Sequence, residues 1–366
     1  MLALLYGTRL MIMGIGVGVI AGTALSVWDP ANRVTADSST KPQPQQSASP
    51  KPSTPTLELT QELTPLKSEL QRLMAQSPDL SAGLMVVDLD NGEFLDFNAG
   101  NVIPAASTIK FPLLVAFFQD VDAGKIRLDE MLTMRKDLIA TEAGDLQDQP
   151  PGSQFSALEV ASKMITISDN TATNMILDRL GGKAAVNQRF QSWGLAQTQI
   201  GDWLPDLKGT NTTSPKDMAT LLGVVTKGQL VSLRSLDLML QMMRSVENTA
   251  MLPQGLGQGA KIAHKTGNIG SVVGDVGLVD MPSGKRYLIT ALVKRPHGDE
   301  RAISLVQQLS KTTYQYFDRA SGKPVSAPGG LPPARPDGIA APTTPLPSPT
   351  DSQGAAPLPK TKIAQP

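Results

Sequence analysis

The strand-forming segments lie at the two ends of the foldable part of this chain, and that placement limits what it can become. Near the start, "AGLMVVDL" and "EFLDFNA" flank Asp90-Asn91-Gly92, the pattern of two strands joined by a tight hairpin. Near the end, "SVVGDVGLVD" and "RYLITALVK" read as two more strands, joined by the turn "MPSGK". Between them, from about 105 to 250, the apolar spacing is mostly helical and broken by Gly and Pro loops. Amphipathic helices are expected over 59–76 and within "DERAISLVQQLSKTTYQYF". This order implies an α+β, two-lobed fold. An antiparallel β-sheet assembled from both chain ends is flanked by helices, and an all-α lobe is inserted between them.

Composition sets the borders of that unit. Residues 29–57 are a Pro/Ser/Gln-rich linker and residues 320–366 a Pro-rich tail, neither with enough apolar side chains to offset the entropy of ordering. The folded domain is therefore expected over 58–319. Ahead of the linker, residues 10–28 carry no charge and follow Arg9. A run of that length can span a bilayer as a helix, with the basic end on the cytoplasmic side. Residues 1–28 thus read as a transmembrane anchor or, if cut near "AGTA" at 21–24, as a signal segment. Either places the domain outside the cytoplasm, on the periplasmic face.

Charge and residue usage exclude several chemistries. Lys+Arg and Asp+Glu are equal at 33 each, so no basic excess supports nucleic-acid binding. With no cysteine, disulfides, thiolate catalysis and cysteine-ligated zinc are ruled out. The two histidines leave little material for a metal site.

Three short motifs carry the chemistry. In "PAASTIKFPLL", Lys110 sits in apolar surroundings three residues after Ser107, where helical geometry would put both on one face. An ammonium there must be paired or lose its proton. Ser168-Asp169-Asn170 lies in "MITISDNTATNMIL" and, taken singly, is a good helix N-cap. Lys265-Thr266-Gly267 in "AHKTGNIG" enters a strand. Each is weak alone; Ser38-Ser39-Thr40-Lys41 in the linker matches the first by chance.

Together, in this order, they resemble the motif set of penicillin-binding proteins and class A β-lactamases, over nearly all of 58–319. The resemblance implies a β-lactamase/transpeptidase-like fold and a serine acyl-enzyme mechanism that requires no metal or cofactor. A lysine desolvated beside a second cation can become a neutral amine, so Lys110 would activate Ser107 and Lys265 would disfavour a second ammonium. Ser168 would relay a proton to the leaving group, and Asn170 would orient substrate and Lys110. Lys265, Thr266 and Gly267 would form the substrate-carboxylate side, with the backbone N–H groups of Ser107 and Asn268 as oxyanion hole. Expected partners are a peptidoglycan stem peptide ending in D-Ala-D-Ala, or a β-lactam. Neither His264, expected to point away from Lys265 along a strand, nor His297 fits a Ser-His-Asp alternative.

One position departs from the pattern. Class A β-lactamases carry a glutamate that activates the deacylating water. In "GDWLPDLKGTNTTSP", matching on Pro205 and "TTSP" puts Leu204 there and Lys208 at the accompanying asparagine. The chain resembles the cyanobacterial penicillin-binding proteins that look like class A enzymes without that glutamate. A DD-peptidase that releases β-lactams slowly is the expectation. A β-lactamase using Asp206 or Asp202 as base is the first alternative, and a binding or sensing protein without turnover the second. Pro112 removes a helical N–H and crowds the carbonyl of Thr108, so the helix carrying Lys110 must kink there or start later than the motif alone suggests.

Overall fold

The computed structural model describes residues 56–321; the expectations for 1–28, for the linker to residue 55 and for the tail after 321 fall outside them. Among the described residues no helix is long and apolar enough to cross a membrane.

Helix α1 spans Thr64–Met74 and strands β1 Ser81–Asp88 and β2 Phe94–Phe97 follow. The helix begins later than the periodicity from 59 predicts. Pro65 occupies its second position, where a missing N–H costs nothing, and the residues before it are extended. After β3 (Ile103–Pro104) and helix α2 (Lys110–Asp122) comes the helical lobe. It holds β4 Met131–Thr133, β5 Gln154–Ser156, α3 Ala157–Thr166, α4 Asn170–Arg179 and α5 Gly182–Ser192. Then come β6 Thr212–Thr213, α6 Pro215–Thr226 and α7 Leu233–Arg244. Strands β7 Lys261–Ile269, β8 Val272–Asp280 and β9 Arg286–Lys294 and helix α8 Arg301–Ser321 complete the described residues.

The main sheet is antiparallel throughout, in the order β2-β1-β9-β8-β7. The first and last strands among the described residues meet inside it, where β1 pairs with β9 in register Leu84 to Ala291. The α+β architecture expected from strand placement is the one observed. Both sheet faces are covered, which is why these strands read as near-continuous apolar runs rather than clean alternation. Leu84 and Val86 face a core shared with Leu66 and Leu70 of α1 and Leu305 and Leu309 of α8. Met85 and Val87 face the opposite core, with Phe117 of α2 and the helical lobe.

Strand β7 lies at the sheet edge, beside the lobe, so the backbone groups on its outer side have no strand partner. That edge and the start of α2 define the site.

Candidate active site

Ser107 lies in a 3-10 turn, Ala106–Ile109, that runs directly into α2 at Lys110. The question raised by Pro112 is settled by this arrangement: the α-helix starts after Ser107, and Pro112 is its third residue, where the N–H has no intrahelical acceptor. In a 3-10 turn, side chains at i and i+3 lie one above the other, which sets Ser107 over Lys110. Ala106, just before the serine, has φ +46°, a left-handed conformation that costs a non-glycine residue of order 1–3 kcal/mol. Ser107 is half-buried, whereas Thr108 and Ile109 are fully covered. The turn therefore exposes the serine and hides its neighbours.

Lys110 is completely buried, yet three oxygens lie within hydrogen-bond distance of its Nζ. Nζ donates to Ser168 O at 2.5 Å, to Asn170 Oδ1 at 2.8 Å and to Ser168 Oγ at 3.1 Å. No hydrogen bond joins it to Ser107. The sequence places the two residues together, but the long side chain turns across to the Ser-Asp-Asn segment. Lys265, also fully buried, reaches the same hydroxyl: its Nζ donates to Ser168 Oγ at 3.2 Å and to Thr266 O at 2.9 Å. Ser168 Oγ thus bridges two lysines. Burial, and then the nearby Lys265, pull the Lys110 pKa well below the usual lysine value, against a smaller opposing pull from Asp169. Burial lowers Lys265 to about 8, partly countered by Asp275.

Ser168 has φ +59°, a second strained residue, and the loop around it explains how that conformation is held. Asp169 caps α4, accepting from Ala172 N at 2.7 Å. Its other oxygen accepts from Asp145 N and Leu146 N, both at 2.9 Å. Gly144 is obligatory in that turn: its φ is +96°, and a Cβ there would stand 2.1 Å from Asp169 Cγ. Asn170 donates through its backbone N–H to Ala143 O (3.0 Å) and through Nδ2 to Thr141 O (2.8 Å). Fixing Nδ2 on a carbonyl leaves Oδ1 for Lys110. The N-cap reading of this motif holds for Asp169, while Ser168 and Asn170 carry the contacts to Lys110.

Strand β7 supplies the third motif. Gly267 abuts the serine turn so closely that a Cβ would lie 2.9 Å from Thr108 N and 3.0 Å from Ser107 N. Only glycine lets the strand approach the backbone around the serine. Next to it, Asn268 is exposed, and its Oδ1 accepts from Arg295 Nη2 at 2.6 Å. His264 points to the opposite side from Lys265, as strand alternation requires, and its Nδ1 lies 3.0 Å from buried Asp275. Ser107, Ser168, Lys265, Thr266 and Asn268 line one open cleft of about 320 Å³. Lys110 and Asn170 are buried beneath it.

The loop over 201–215 contributes no carboxylate to this cleft. Leu204 is buried and pinned at both backbone ends by Asn174, through Leu204 N to Oδ1 (3.0 Å) and Nδ2 to Leu204 O (2.8 Å). Asp206 is consumed by the loop itself, accepting from Thr210 N, Thr210 Oγ1 and Asn211 N at 2.6–3.0 Å. Asp202 is exposed, accepts from Trp203 N and lies 3.9 Å from Lys183. Lys208 is exposed. Sequence reasoning missed Asn174, although its spacing four residues after Asn170 on α4 put both on one face. It also missed Asp169 as the anchor of the Ser168 turn, and Glu247, which lines the cleft.

Comparison with known proteins agrees with this fold. The profile of the beta-lactamase enzyme family matches residues 65–317. The solved structure of PBP-A is 56% identical, with a TM-score of 0.71, and the likeness covers 72% of this chain and 100% of that one. A leucine-to-glutamate mutant of PBP-A, solved as an acyl-enzyme complex with penicillin G, matches to the same degree. Among curated proteins, β-lactamase CARB-3 of Pseudomonas aeruginosa is 29% identical over 170 residues. That alignment takes in 44% of this chain and spans 59% of the relative.

Proposed function

Because this chain belongs to the beta-lactamase enzyme family, we propose that it is a serine acyl-transfer enzyme of the DD-peptidase type, cleaving D-Ala-D-Ala ends of peptidoglycan peptides and releasing β-lactams slowly. In this reading Ser107 Oγ attacks the carbonyl carbon of the penultimate D-Ala while neutral Lys110 takes its proton. The C–N bond then breaks, the departing amine receives a proton through Ser168, and an ester remains on Ser107. Water, or the amine of a second peptide, cleaves that ester and restores the serine. The backbone N–H groups of Ser107 and Asn268 would hold the oxyanion, the latter from the free side of an edge strand. Lys265 and Thr266 would hold the terminal carboxylate. The apolar run after Arg9 supports an extracytoplasmic site of action.

One observation carries this reading: a fully buried Lys110 with a depressed pKa, joined through Ser168 to a second buried lysine, beneath a half-buried serine that lines the cleft. The acyl-enzyme complex of the PBP-A mutant with penicillin G supports covalent capture of β-lactams. Slow release is supported by Leu204, and by the engagement of Asp206 and Asp202 elsewhere, since a base must lie within hydrogen-bond reach of its water.

The deciding test is the lifetime of the β-lactam adduct. With benzylpenicillin, intact mass should show a single adduct on the wild type that persists for hours, and none on Ser107→Ala. Rapid loss with accumulating product would instead make this a β-lactamase. Absence of any adduct would remove the acyl-enzyme reading.

A pH profile tests the two lysines separately. Acylation needs Lys110 neutral, so the rate rises with pH as it loses its proton. It also needs Lys265 charged, so the rate falls as pH passes about 8. Lys265→Arg, whose guanidinium stays protonated, is expected to abolish the alkaline fall while the acid limb remains. Stopped-flow acylation as a function of pH, followed to either side of about 8, is the measurement.

A further inference from the structure

The cleft wall beyond Ser168 carries a charge that this chemistry does not use. Val246, Glu247 and Asn248 follow α7 and line the cleft beside Thr166, Ile167 and Ser168. The main chain there is fixed, because Val246 is buried and Glu247 N donates to Thr166 O at 3.0 Å. The Glu247 side chain is exposed, and among the described residues it has no ion-pair partner. It is the only acid among the cleft-lining residues, and Lys265 is the only formal cation.

This pairing is wrong for the simplest substrate. A departing D-alanine offers one formal charge, its carboxylate, which Lys265 would hold. Glu247 in the same cleft would then repel that carboxylate and gain nothing. The charges balance when the departing residue brings an ammonium as well. We propose that Glu247 forms an ammonium-binding subsite on the leaving-group side of the cleft. It would select a D-residue that carries a cationic side chain in addition to its carboxylate. Since an acyl acceptor enters where the leaving amine departs, the same subsite selects the acceptor in the reverse direction. This inference rests on the acyl-transfer reading above.

The test uses the full chain and three N-acyl-D-Ala-D-Xaa peptides, with D-Lys, D-Ala or D-Glu as the last residue. The readout is kcat/KM for release of the D-amino acid by wild type, Glu247→Gln and Glu247→Lys. Benzylpenicillin loading of each protein, followed by mass, reports separately whether Ser107 is competent. The wild type should prefer D-Lys over D-Ala by roughly 3- to 5-fold, the scale of one solvent-facing ion pair, and take D-Glu least well. Glu247→Gln should lose the preference and Glu247→Lys should put D-Glu first. Salt near about 1 M, where screening shortens to roughly 3 Å, should flatten the wild-type order. Cleavage with the same order and ratios in all three proteins overturns the subsite alone. Penicillin loading without cleavage of any peptide overturns the DD-peptidase reading, and the subsite with it.

Discussion

Arginine at position 110 is expected to leave Ser107 almost unreactive, with adduct formation from benzylpenicillin slowed by roughly 10²- to 10⁴-fold, the usual contribution of a general base. The reason lies in what a lysine can do here that a guanidinium cannot. Burial and Lys265 both push Lys110 towards the neutral amine, and an arginine stays charged in any protein environment. Overpacking is a rival cause, since the larger head enters a filled space at a cost of about 1–3 kcal/mol. Lys110→Met separates the two. Methionine fits the volume, removes the buried cation, and offers no proton acceptor of comparable strength. It leaves Ser168 O and Asn170 Oδ1 without their donor, a cost of about 1–3 kcal/mol each, set against the relief of desolvating an ammonium. Stability should therefore differ between the variants, while both lose acylation. Wild-type acylation by Lys110→Met would show that the proton leaves Ser107 by another route.

How much of this was legible in the sequence follows from the range of each interaction. The sheet was readable because β1, β8 and β9 are long apolar runs bounded by turn residues, and their separation along the chain dictated an insertion. The start of α1 and of α2 was less so. In each case a proline, Pro65 or Pro112, bears on the first turn: Pro112 announced a kink or a later start without deciding between them, and periodicity from residue 59 did not register Pro65. The motif residues converge because short-range geometry was decisive: the turn sets Ser107 above Lys110, and strand alternation turns His264 away from Lys265. What remained hidden depended on long, flexible side chains and on loops. Lys110 is a long, flexible side chain, and it is held on Ser168 and on Asn170, whose amide is oriented by Thr141 O across the chain. The fates of Asp202 and Asp206 depended on how one loop folds on itself, and spacing is silent on that.

Glutamate at position 204 is expected to shorten the penicilloyl adduct by about 10²-fold, the lower end of what a positioned base supplies, with product appearing as the adduct disappears. The geometry makes this position specific. Asn174 grips Leu204 through both its N–H and its carbonyl, and Asn174 lies one helical turn from Asn170, the residue that binds Lys110. A side chain at 204 is therefore set by the same helix that holds Lys110, so a carboxylate here shares the frame of Ser168, Asn170 and Lys110. Its cost should be visible too. Leu204 is buried, and an ionised carboxylate placed there is destabilising by a few kcal/mol unless it finds a donor, so the melting temperature should fall. Leu204→Gln provides the contrast, with nearly the same shape and polarity but no capacity to take a proton from water. Intact mass against time, with each protein loaded by a short pulse of benzylpenicillin, measures the lifetimes directly. If glutamate releases the adduct quickly and glutamine does not, persistence in the wild type is caused by the absence of a base at this point of the loop. If the two behave alike, loosening of the loop is the cause, because both replace a packed apolar side chain. The leucine would then matter for excluding water from the ester rather than for failing to activate it.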